Sequence, residues 1–479
     1  MGAARIGAPE PNTAAEPEGV SPVKYQALNE KILSMQGEIV AAIQDVVRID
    51  SVKGPAEPDA PYGRGPKAAL DHVLALGQKL GFRIGNVENR VGWIEYGKGE
   101  EMVGVLGHLD VVPVGEGWTH PPFGAEIQDG KIYGRGVLDD KGPVIGAVYA
   151  LKAIRELGLP LDRRIRIMFG TDEECGSSCV KRYIEKGEEI PTVGFTPDAD
   201  YPLIFCEKGT TNAILGGKIR DRGNIHVLRL EGGTAPNVVT PRCRLTVEGD
   251  LPVSPAEGVT VEKKNGCTTV EAVGLGAHGS TPALGINAAV RLFHAVKGIP
   301  FGGDFQHMMD FVLKRIGTFS DGSAMGIDCR DEETGETTVN LGVLKYDGEE
   351  MSLTLDIRYP KTADPEHIRR QVERCAAEYG LGIIKLWQVP VLYVPRDSEL
   401  VRKLMAVYTE QTGVRAEPLA IGGGTYAKAF PNMVAFGPLF PGDPEVIHQP
   451  DECAEIARLM QSFQIAAAAM MELARRQPA

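Results

Sequence analysis

No stretch of about 18 uninterrupted apolar residues occurs in this chain of 479 residues, so no transmembrane helix is expected. Nor is there an apolar h-region at the start. Met1 to Pro22 is rich in Ala, Pro, Glu and Gly, which reads as a flexible N-terminal arm (residues 1–22) rather than a secretory signal. Positive charge is not in excess either: the formal net charge of -13 argues against nucleic acid or an anionic membrane surface as a partner. Eight cysteines in so long a chain give no disulfide framework, and Cys175 and Cys179 have no second pair at zinc-finger spacing. Reduced thiols in a cytoplasmic protein are expected, with Cys175 as a packing residue.

What is present is an ordinary globular composition, 43% hydrophobic and 24% charged, in a chain too long for a single hydrophobic core. Lys24 to about Val47 reads as an amphipathic helix and Ala68–Leu80 as a second, stopped by Gly81. The runs Met102–Leu106 and Ile165–Phe169 read as buried strands, followed by helices at Pro143–Leu157 and near Ser178–Lys186. This alternation predicts an α/β catalytic domain: a central mixed, mostly parallel sheet flanked by helices. Near Gly209 the texture changes to half-exposed alternating strands, such as Arg242–Glu248 and Met351–Arg358, interrupted by helices at Ile286–Lys297 and Ala363–Tyr379. The reading is an inserted α+β lid domain over 209–386, which makes the catalytic domain discontinuous (23–208 and 387–479). Its last part carries helices at Ser398–Gln411 and Cys453–Arg475 and a strand at Met433–Gly437.

Acids and imidazoles stand where the predicted strands end. Glu173 and Glu174 close the run Arg164–Thr171, and adjacent side chains there point in different directions, so one carboxylate can hold a metal while its neighbour moves a proton. His108 and Asp110, Asp139 and Asp140, Asp198, and His448 end other such segments, and sites in open α/β sheets collect beyond the carboxyl ends of strands. An Asp at a strand end is also a common helix cap, and a lone His is commonly a satisfied core residue. The joint occurrence is what points to a two-metal hydrolytic site with ligands His108, Asp139, Glu174, Asp198 and His448. Zinc, manganese and cobalt accept such mixed imidazole and carboxylate ligands without a thiolate.

Four segments carry a family resemblance: Gly107-His-Leu-Asp-Val-Val-Pro113, Gly134-Arg-Gly-Val-Leu-Asp-Asp-Lys-Gly142, Thr171-Asp-Glu-Glu-Cys-Gly176 and Phe195-Thr-Pro-Asp-Ala-Asp-Tyr-Pro202. They resemble the dinuclear zinc aminoacylase/carnosinase/carboxypeptidase family, and Gly422-Gly-Gly-Thr-Tyr-Ala427 with Phe440 to His448 looks like its peptidase-V-type dipeptidase branch. The resemblance implies a dipeptidase acting on small peptides, with an N-acyl-amino-acid deacylase or carboxypeptidase as the alternative. It implies two divalent ions per chain, zinc before manganese or cobalt, with Asp139 bridging, His108 and Asp198 on one ion, and Glu174 and His448 on the other. Glu173 would be the general base, Asp110 would orient His108, and the Asp139–Asp140 peptide would be cis. In the insert, His278 would stabilise the oxyanion and Asn237 and Arg358 would contact substrate, the guanidinium gripping a terminal carboxylate with two parallel hydrogen bonds. The Gly422–Gly424 turn, with Gly424 and Thr425, would add backbone N–H donors to the same carboxylate. An insert that carries its own His278 allows a monomer; a homodimer is the other expectation.

Overall fold

The computed structural model describes residues 24–317 and 319–475; the arm expected at 1–22 lies outside them. The chain divides into two compact units, one made of Met1–Lys186, Lys403–Ala416 and Pro444–Ala479, the other of Gly187–Arg402 and Glu417–Asp443.

In the first unit, four strands pair in the order β1 (Arg83–Val87), β2 (Val91–Tyr96), β4 (Arg164–Gly170), β3 (Met102–His108). Only β3 and β4 run parallel; β1 with β2 and β2 with β4 are antiparallel. The sheet is therefore mixed, as expected; two of these three pairs are antiparallel, and for β1 and β2 this follows from the short return Glu88–Arg90, which holds no crossover helix. β3 is buried along its whole length, which explains its unbroken apolar run. The helix expected over Lys24–Val47 is two, Gln26–Ser34 (α1) and Gln36–Val47 (α2), because Met35 leaves the helical region. Further helices of this unit are Arg64–Lys79 (α3), Lys141–Glu156 (α4), Ser178–Glu185 and Ile456–Ala474 (α5). The terminal helix starts three residues later than predicted because Cys453–Glu455 pairs as a strand with Lys131–Tyr133. Among the described residues no helix is long and apolar enough to cross a membrane.

The second unit contains all of 209–386 and an antiparallel sheet of eight strands. In chain order these are Gly209–Lys218, Val227–Gly232, Arg242–Glu248, Val259–Lys264, Cys267–Val273, Thr338–Tyr346, Glu350–Tyr359 and Gly382–Val389. One face of the sheet is covered by the helices Ala288–Ala295 and Pro365–Glu378, and Leu215, Leu230, Leu245, Phe293 and Ile357 share the core. A helix at Gly303–Phe311 was not anticipated, although Phe305, Met308, Met309 and Val312 repeat at helical spacing and are all buried. The unit also takes in Val193–Thr196, Ile204–Glu207 and Met433–Ala435; Met433–Ala435 pairs with each of the other two.

The packing of α4 on α5 turns on one glycine. A Cβ built at Gly146 would lie 2.1 Å from the ring of Phe463, so any side chain forces two helices apart. Gly146→Ala is expected to destabilise the fold by about 1–3 kcal/mol, the range for overpacking a core. Urea unfolding would show this as a lower midpoint at an unchanged m-value.

Candidate metal centre

Parallel pairing sets β3 and β4 level, with His108 opposite Gly170, so whatever follows either strand emerges at one edge. From this edge come His108, Asp110 and the Glu173-Glu174 pair; Asp139 arrives on the loop before α4. Asp139 lies between two imidazoles. His108 Nε2 is 2.9 Å from its Oδ1 and His448 Nε2 is 2.8 Å from its Oδ2. His448 Nε2 is also 3.1 Å from Glu174 Oε1, and His108, Asp139 and Glu174 each offer a donor atom within 4.8 Å of the others. His448 sits in the left-handed region (φ 63), an uncommon conformation for a residue with a side chain.

Four of the five expected ligands thus converge. The fifth, Asp198, belongs to the second unit, two residues beyond the strand Val193–Thr196. Two imidazole nitrogens and two carboxylates fit a borderline divalent ion, and one carboxylate offering a different oxygen to each imidazole fits a bridge between two.

Electrostatics follow from burial. Burial raises Asp110 to about 6 and Glu173 to about 8, and the neighbouring carboxylates add to the rise in Glu173. Burial works against ionised Asp139 too, yet hydrogen bonds from His108 and His448 hold it well below the usual carboxylate range. Hydrogen bonds to Asp139 and Glu174 raise His448 to about 10. Cations bound beside Asp110 and Glu173 would favour their ionised forms.

Asp110 meets His108 through its main chain. Its main-chain oxygen accepts from His108 Nδ1 at 2.9 Å, which aims Nε2 at Asp139. Its carboxylate, 3.6 Å from Nδ1, instead accepts from the backbone N–H groups of Glu173 (3.0 Å) and Glu174 (3.1 Å). Cys175, expected to pack, is exposed. The Asp139–Asp140 peptide is cis, as the resemblance implied.

Several supporting residues were not anticipated. Asp140 Oδ2 accepts from His108 N at 3.1 Å, an approach possible only because Gly107 has no Cβ, which would fall 2.3 Å from that oxygen. Glu452, fully buried, accepts from Arg135 Nη1 at 2.7 Å and from the N–H groups of Gly136 and Leu138, and so shapes the loop that delivers Asp139. Nothing local marks Glu452 as buried, although it lies four residues after His448.

In the second unit the remaining expected residues gather around Arg358. Its Nε and Nη2 grip Asp356 and its Nη1 donates to Gly422 O at 3.1 Å. Gly279 follows His278 and would, with a Cβ, meet Asp356 Oδ2 at 2.7 Å and Asn237 at 3.1 Å. His278 Nδ1 accepts from Ser280 N at 3.3 Å and lies 2.6 Å from Ser280 Oγ. Thr425 turns both donors inward: its N–H and hydroxyl go to Glu207 at 3.0 and 2.6 Å.

A carboxylate flanked by imidazoles at the end of a buried sheet, with a second acid beside a ligand, defines a metal-site hydrolase. The chain belongs to peptidase family M20/M25/M40, which matches residues 104–475. It is 38% identical over 464 residues to Putative dipeptidase YtjP of Bacillus subtilis, covering 93% of this chain and 99% of that protein. It is 32% identical over 444 residues to Putative dipeptidase SH1171 of Staphylococcus haemolyticus, covering 88% and 94%. The fold is shared with human carnosine dipeptidase 1 (TM-score 0.56, 16% identity, 94% of this chain and 99% of that one). It is also shared with the dipeptidase Dug1p of Saccharomyces cerevisiae (TM-score 0.57, 13% identity, 94% and 98%).

Glu452→Ala would leave Arg135 as a buried, unpaired charge. The expected loss is about 3–5 kcal/mol of stability, the range for breaking a buried ion pair from one side. Chemical denaturation measures it, and a loss below about 1 kcal/mol would remove Glu452 from this role.

Proposed function

We propose that this M20 hydrolase is a metal-dependent dipeptidase that cleaves the peptide bond of small dipeptides. The observation that carries the reading is Asp139 with one imidazole on each oxygen. Two divalent ions, zinc before manganese or cobalt, would be held by His108, Asp139, Glu174, Asp198 and His448, and when bound would supply a water of lowered pKa and a Lewis acid. The dipeptidase-named relatives support the substrate class. Eight cysteines, all free, suit a reducing cytoplasm.

Glu173 is the proton carrier. Its backbone is pinned through Asp110, and its carboxylate takes a proton from the attacking water and returns it to the leaving amine. His278 has a defined tautomer. A backbone N–H can only donate, so Ser280 N makes Nδ1 an acceptor and the proton of the neutral ring sits on Nε2. Partial burial and the Arg358 charge lower the pKa of His278 and keep the ring neutral, so Nε2–H is a ready donor to an oxyanion. Arg358 carries five N–H donors, of which Asp356 and Gly422 take three, and the two left over can meet a terminal carboxylate.

Glu173→Ala is expected to keep its metal and to lose at least about 10²-fold in kcat, the lower range for a proton-transfer group. Glu174→Ala should lose metal. Mass-spectrometric metal content alongside rate separates the two, and equal metal loss in both variants would contradict the roles. Dipeptidase and N-acyl-amino-acid deacylase separate by substrate. A dipeptide is expected to show kcat/KM at least about tenfold above its N-acetyl counterpart, because acetylation removes the positive charge that the acidic cluster favours. A faster N-acetyl substrate would replace the dipeptidase reading with the deacylase one.

A further inference from the structure

In the second unit, residues of the helix Ala288–Ala295 and the strand Thr338–Tyr346 line a cavity of about 560 Å³ that holds none of the residues assigned to the reaction. Its volume falls within the range of small-molecule sites, roughly 300–1,000 Å³. The floor is apolar and buried, formed by Val239, Val290, Val339 and Leu341. Around it Ile286 and Phe319 stay 44% and 53% exposed, and Leu284, 72% exposed, stands between the lining residues Ala283 and Gly285. Large apolar side chains left open around a cavity gain from being covered. The helix Gly303–Phe311 runs on into a π-helical turn, Val312–Ile316, which brings Ile316 to the wall. Wide turns of this kind recur at functional sites.

The charge that the wall offers is positive. Asn287 spends its oxygen on the N–H groups of Ala289 and Val290 and its amide on Leu341 O. Asn340 gives its amide to Pro236 O and Val238 O. Arg291 is less committed: its Nη1 donates to Val273 O, and it forms no ion pair among the described residues. A guanidinium has five N–H donors, so most of its capacity is left for a ligand. His294, one helical turn on, also lines the cavity and can add a ring N–H. No Asp or Glu lines the cavity, in a chain whose formal net charge is -13. An apolar floor with a cation at its side and no acid selects an apolar body with an anionic head and rejects a cationic one.

We infer that this cavity binds an aliphatic monocarboxylate, its chain laid over Val239, Val290 and Leu341 and its carboxylate on Arg291 with His294 beside it. One wall belongs to the loop that carries His278. Leu275 and Ile286 exchange both backbone hydrogen bonds at 2.9 Å and close this loop at its base, and Pro282, Ala283 and Gly285 within it line the cavity. A bound chain packs against that loop from one side. The site needs no residue of the metal centre, so it stands or falls apart from the dipeptidase reading.

Isothermal titration of the full chain with sodium octanoate is expected to show one saturable site with Kd below about 1 mM. Octanol, the same chain without charge, and octylammonium, with the opposite charge, should each bind at least about tenfold more weakly, the lower end of the worth of a hydrogen bond to a charged group. Arg291→Gln should weaken octanoate by at least about the same factor. Ala283→Trp, which adds a ring at the exposed wall while keeping Arg291, should weaken it as well. Thermal melting followed by circular dichroism without ligand checks that both variants fold. The three ligands act on the wild-type chain, so the assignment can be refuted even if a variant does not fold. Absence of saturable octanoate binding, equal binding of octanol or octylammonium, or unchanged affinity in either folded variant would overturn it.

Discussion

The site depends on a buried carboxylate held between two imidazoles. Asp139 cannot stay ionised on its own account in a place from which water is excluded; His108 and His448 make it so. Each imidazole comes from a different part of the chain, and each is fixed by something else. His108 is aimed by the main-chain oxygen of Asp110 and steadied by Asp140, and Asp139 itself rides on a loop gathered around Glu452. The buried Arg135–Glu452 pair is best understood as part of this frame. As an isolated ion pair its net stabilisation would be small, but it fixes the backbone N–H groups on which the geometry of Asp139 rests.

Much of this was legible in the sequence, because the signal was an acid or imidazole at the end of an apolar run. That rule found Glu173, His108 and Asp139; the runs behind Glu173 and His108 are the buried strands Arg164–Gly170 and Met102–His108, and Asp139 follows the buried pair Val137-Leu138. Applied consistently, it would also have found Glu207, which ends the buried run Ile204–Cys206 and proves to be fully buried. Asp140 and Glu452 were beyond it. Their roles arise from backbone N–H groups that lack partners, and which groups lack partners is decided by tertiary structure. The direction of individual strands was not legible for a similar reason. Buried strands in either direction have apolar runs, and direction is set by connections, here the short return from β1 to β2.

In the second unit the chain's own charges already occupy many of the donors around Arg358 and Thr425. Asp356 occupies one edge of Arg358, and Glu207 occupies the donors of Thr425. Such partners orient a guanidinium and a turn before any ligand arrives, which lowers the entropy lost on binding. Two N–H groups of Arg358 are left for a further acceptor.

The central claim is that Asp139 organises a two-metal site. Metal content of the wild-type chain and of Asp139→Ala, each reconstituted with excess zinc and then dialysed, tests it most directly by elemental mass spectrometry. The account predicts about two ions per wild-type chain and fewer than one in the variant, because a shared ligand is lost to both positions at once. Retention of both ions by Asp139→Ala, or a wild-type chain that holds none, would contradict it.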